Sequence, residues 1–222
     1  MLTIDAKNPG RALVLTLAWL LPGTALHAQA PDVYSELDQV AVSSLDTPNG
    51  QGLLPTALAE ADVALQHARL AAADSLGLIP MRNHAGHVMH ALDPAVVGGA
   101  GPGLGYGVRR SAMEAQRHLD TAASADSVSE NVAVHVRAIS TSLANVVQWS
   151  DQAVAVAQQV QSARSVSAAL PLVSRLLSLC HAIRWGRDAD GDGIVGWQQS
   201  EGGLAQAEYH MTLLRRGEGL GY

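Results

Sequence analysis

Phenylalanine is absent from these 222 residues, and lysine and cysteine occur once each, as Lys7 and Cys180. Four tryptophans and four tyrosines are the whole aromatic inventory, while alanine, leucine and valine dominate. A sheet-rich core draws on aromatic and β-branched side chains, so this inventory favours helices. A lone thiol excludes an internal disulfide and a CxxCH haem attachment. The single lysine lies in the extreme N-terminal segment, which excludes Schiff-base chemistry and a phosphate-binding loop lysine in the rest of the chain. Charged residues are only 15% of the chain, the formal net charge is −6, and there is no long basic stripe. Nucleic acid is therefore not expected as a partner. HExxH and GxSxG motifs are missing, and nothing in the spacing of Ser, His and Asp supports a triad.

The N-terminus has the order of parts of an export signal. Lys7 and Arg11 precede the apolar run ALVLTLAWLL at 12–21, Pro22 and Gly23 break it, and small residues lead to Ala28-Gln29-Ala30. The run is too short to span a bilayer and fits a secretory leader over residues 1–30. The mature chain is then expected to be periplasmic or secreted. No later segment approaches 18 uninterrupted apolar residues, so no membrane association is expected after processing. Removing residues 1–28 takes Asp5, Lys7 and Arg11 with it, leaving 12 arginines against 19 acidic side chains.

Residues 31–55, rich in Pro, Ser, Asp, Asn and Gly, read as a mostly irregular lead-in whose Leu37 and Val40 can dock on the core. Helical periodicity runs over 56–76, 81–92, 108–123 and 127–164, then from 168 or 171 through Ile183, and last over 200–216. Ser127 and Glu130 have capping-box spacing. The segment 94–107 contains six glycines in fourteen residues but no GxGxxG frame, and reads as a long connection. The expected fold is all-α, an antiparallel helical bundle over 56–185 with a calcium loop and last helix over 186–222.

Two groups of residues point to metal. Asp188, Asp190 and Asp192 stand at positions 1, 3 and 5 of an acidic loop, with Gly193 at 6 and Ile194 at 7 offering a backbone carbonyl. Three carboxylates this close repel unless a cation joins them. Residues 188–199 resemble the calcium loop of the EF-hand family. That resemblance implies Ca²⁺, with Gln199 standing where the family places a bidentate Glu, and with Glu201 two residues later as the alternative.

The second group is histidine. His84, His87 and His90 recur every third residue in NHAGHVMH, with Met81 and Met89 nearby. Consecutive members are neighbours on a helix surface, so His87 would belong to any pair that forms. His67, His118 and His135 come one per helix from other segments and can join them in a bundle. Neutral imidazole suits copper, zinc, nickel or iron. The elements His84-Ala85-Gly86-His87 and Gln66-His67-Ala68 resemble small periplasmic histidine-rich metal-binding proteins. That resemblance implies divalent-metal binding or buffering. Two alternatives stay open: a bundle that holds haem or iron for electron transfer or catalysis, and an interaction module that calcium merely rigidifies.

Overall fold

The computed structural model describes residues 32–73, 77–126 and 128–221. The proposed leader, residues 74–76 and Ser127 lie outside these. The described residues form seven α-helices and two single 3-10 turns, with no strand among them. The helices are α1 (Val33–Ala41), α2 (Leu53–Ala73), α3 (Leu78–Leu92), α4 (Val108–Ala123), α5 (Glu130–Ser162), α6 (Val166–Trp185) and α7 (Leu204–Gly217). This is an all-α helical bundle.

At 33 residues α5 is the spine, about 50 Å long at 1.5 Å per residue. It starts at Ser129, whose hydroxyl accepts the Val132 N–H at 3.0 Å, two residues after the serine the capping spacing selects. Helices α3, α4, α6 and α7 all pack on α5, and α2 packs on α3, α4 and α6. Leu143, Val146 and Trp149 of α5 lie at the centre with Leu119, Leu176 and Ile183, each at most 2% exposed.

Helix α6 is long and apolar enough, by length and composition, to cross a membrane. Its Ala169, Val173, Leu176, Cys180 and Ile183 face nonetheless joins the core, and the opposite face exposes Ser167, Ser174, Arg175, Ser178 and His181. Pro171 sits inside α6, where its missing N–H leaves the Ser167 carbonyl without a helical donor.

The lead-in and the start of the last helix differ from the sequence reading. The lead-in is not irregular throughout. Val33, Leu37 and Val40 fall on one helical face, Asp32 caps the helix by accepting the Tyr34 N–H, and α1 packs on α4. The Pro, Asn and Gly residues that suggested a loop cluster only after Val42. Leu204, Ala207, Met211 and Leu214 of α7 belong to the same core as Leu37 and Val40. The last helix begins at Leu204 rather than at 200, because Ser200 adopts φ 71° and no helix passes through it.

Leu37 tests the first difference. It is fully buried, so Leu37→Ala is expected to cost about 2–5 kcal/mol in denaturant unfolding. A cost under about 0.5 kcal/mol, as for an exposed site, would return the segment to a loosely attached lead-in.

Candidate metal centres

Helices α2 and α3 pack face to face, and three half-buried imidazoles meet at the edge of their contact. His84 and His87 lie one turn apart on α3, and His67 reaches across from α2. The Nδ1 of His67 is 3.0 Å from Nδ1 of His84 and 3.4 Å from Nδ1 of His87. One ligand atom from each ring can be chosen so that all three lie within 4.8 Å of one another. Two nitrogens about 2.05 Å from a shared ion stand about 2.9 Å apart at a right angle and about 3.35 Å apart at the tetrahedral angle. The observed spacings lie close to these two values. Burial holds His67 and His87 below the ordinary histidine range, and the neighbouring imidazoles lower both further. His67 and His87 are therefore held towards the neutral state, the one that binds metal.

His90 does not join them. Its ring is 5% exposed and turned onto the glycine-rich loop, with Nδ1 3.1 Å from the Pro102 carbonyl and Nε2 3.2 Å from the Gly99 carbonyl. The loop lies so close that a Cβ at Gly101 would sit 2.4 Å from Cγ of His90. On the same loop, the buried Glu60 of α2 accepts the N–H groups of Tyr106 and Gly107 through Oε1, at 2.8 and 3.0 Å. The glycines at 94–107 thus serve to wrap two buried polar side chains. Met81 and Met89 are core residues.

His118 is also taken up elsewhere. Its Nδ1 is 2.5 Å from Glu36 Oε2, joining α4 to α1. His135 faces His210 of α7, with the two Nδ1 atoms 3.0 Å apart. Burial lowers both of their pKa values, and His135 lowers that of His210 further. His181 is exposed. Cys180 is buried in the core, where desolvation pushes its thiol up to about 12, so it supplies no thiolate ligand.

In the acidic loop, Asp188, Asp190 and the buried Glu201 bring carboxylate oxygens within 4.8 Å of one another. The carboxylate of Asp188 accepts the N–H groups of Gly191 and Gly193 at 2.6 and 2.9 Å. Asp192 lies outside this trio, and its Oδ1 accepts the Ile194 N–H at 2.8 Å. The Ile194 side chain is 67% exposed. Glu201 is 6% exposed, and its Oε2 accepts the Gly196 N–H at 3.0 Å. Gln199 is exposed and lines a groove along α5 instead. Buried Asn145 of α5 holds this leg of the loop, accepting the Ser200 N–H and donating to the carbonyls of Gln198 and Gly202.

Sequence spacing brought His84 and His87 together but did not select His67 as their partner, nor His210 as the partner of His135. The available signal was the position of each at the rim of an apolar stripe. Which helices become neighbours is not written in either stripe. No protein-family model, curated protein or solved structure matches this chain.

The four lowered histidines give a pH dependence with a definite sign. In the unfolded chain each takes up a proton near pH 6.5, whereas in the fold each resists it. The unfolded state then binds more protons, and stability falls as pH drops below about 6.5. Melting of metal-free protein should be level between pH 8 and 7 and decline between pH 6.5 and 5. A level profile across that lower window would show that these rings are not held neutral by the fold.

Proposed function

We propose that this chain is an exported metal-binding protein that takes a divalent transition ion at His67, His84 and His87 and Ca²⁺ at its acidic loop. The observation that carries the reading is the spacing of the three Nδ1 atoms, at 3.0 and 3.4 Å from His67. Export rests on the leader pattern of residues 1–30.

The two donor sets favour different ions. Three imidazole nitrogens with no thiolate suit zinc, copper or nickel. The Asp188, Asp190 and Glu201 set is all oxygen and suits calcium. A shallow groove of about 270 Å³ runs beside His87 between α3 and the glycine loop, lined also by Asn83, Gly98, Gly101 and Gln161. It gives the histidine cluster access to solvent, as reversible loading requires. The haem alternative gains no similar support, since Met81 and Met89 are packed among apolar side chains.

His67 faces both other rings, so it is expected to matter most. Loss of a direct ligand should exceed the 10–100-fold typical of an outer partner. His67→Ala and His87→Ala should therefore weaken Zn²⁺ or Cu²⁺ binding by about 100-fold or more at pH 7.5, and His90→Ala by far less. Because His67 and His87 resist protonation, binding should hold at about pH 6.5 and fade only as pH falls below it. Titration calorimetry checks this. No saturable binding, or an equal loss from His90→Ala, would sink the reading.

Calcium is expected to raise the melting temperature by binding the folded state. Glu201→Gln should weaken that effect, while Gln199→Glu should leave it nearly unchanged. The reverse ranking would mean that the loop closes with ordinary EF-hand spacing. Equal melting temperatures in excess calcium and in chelator would remove the site altogether.

A further inference from the structure

The pair His135 and His210 shares no residue with the His67 cluster and sits on different helices. His135 lies on α5 beside the buried Val132, Val136 and Ile139, and His210 lies on α7 beside the buried Ala207, Met211 and Leu214. Packing of these two apolar faces brings the rims of α5 and α7 together. The rings meet with centroids 5.3 Å apart and Nδ1 atoms 3.0 Å apart. Among the described residues neither ring has another hydrogen-bond partner. The ring of His210 is flanked edge-on by Tyr209 and by Trp197, whose centroids lie 5.5 and 6.3 Å away.

We propose that His135 and His210 form a second transition-metal site, one that takes Cu²⁺ in preference to other divalent ions. A separation of 3.0 Å matches two nitrogens about 2.05 Å from one ion at close to a right angle. That is the cis angle of a tetragonal site, the geometry Cu²⁺ favours with nitrogen and oxygen donors. Cu²⁺ is also the strongest binder of the divalent series at such donors. Two protein ligands leave the remaining positions to water, so the site should be weaker and more labile than the three-histidine cluster. An ion here would cross-link α5 to α7, the helix that follows the acidic loop. Trp197, inside that loop and against His210, is a built-in reporter.

The test uses the full chain carrying His67→Ala, His84→Ala and His87→Ala, titrated with Cu²⁺ at pH 7.5 by calorimetry and by tryptophan emission. One saturable equivalent is expected, with quenching. Adding Trp197→Phe should remove most of the quenching and leave binding intact. Adding His210→Ala or His135→Gln should weaken binding by about 100-fold or more. The glutamine variant keeps a polar side chain at the α5 position, and circular dichroism verifies that each variant is folded. Absence of saturable binding in the triple variant would overturn the proposal and leave a simple N–H···N hydrogen bond between the rings. Binding that survives both His135→Gln and His210→Ala in folded protein would overturn it too. A wild-type chain that binds one equivalent, lost with His210→Ala but not with His67→Ala, would uphold this site while removing the first.

Discussion

Along α2 the buried side chains at 57, 61, 64, 68 and 71 are all alanine, each at most 1% exposed. A line of one-carbon side chains along a helix lets its neighbours approach closely there. Groups at the rim of such a contact are then brought within bonding distance. His67 is one such group and reaches His84 and His87 on α3. Glu60 is another, and it reaches the amides of Tyr106 and Gly107. Larger residues in the alanine positions would separate the helices and dissolve both arrangements, although no ligand would have been changed.

Much of the architecture was legible because alanine-rich amphipathic stripes end at unambiguous stops. Helix α4 spans Val108–Ala123, as its periodicity predicts, and α3 ends at Leu92 before Asp93-Pro94. The site was less legible, for a physical reason. Three-residue spacing establishes that His84, His87 and His90 are successive neighbours on one helix. It does not establish which of them faces a partner helix and which faces a loop. The fan of rings is split by packing: His84 and His87 turn towards α2, and His90 turns under the glycine loop. A similar limit applies to the acidic loop. EF-hand spacing places Gln199 at the closing position, but Ser200 at φ 71° turns the chain and carries Glu201 inward. Asn145, far away in sequence, fixes that turn from α5.

The distribution of carboxylates keeps the two candidate ions apart. Glu36 is committed to His118 and Glu60 to backbone amides. The lowered pKa values of His67 and His87 trace to burial and to other histidines, with no carboxylate among the causes. A carboxylate beside them would favour the protonated rings, which bind no metal. The carboxylates of Asp188, Asp190 and Glu201 are instead gathered at the other chemistry, where no imidazole competes.

The glycine loop links packing to access. It is anchored from inside by His90 and Glu60, both buried, and its backbone lies on them where Cβ atoms at 101 and 103 would collide with His90 and Glu60. Those anchors use up the third histidine of α3 and a buried carboxylate of α2. The same anchoring holds the loop as one wall of the groove beside His87. His90, a spare ligand by sequence spacing, is thus withheld from the cluster and instead holds the loop that walls its groove.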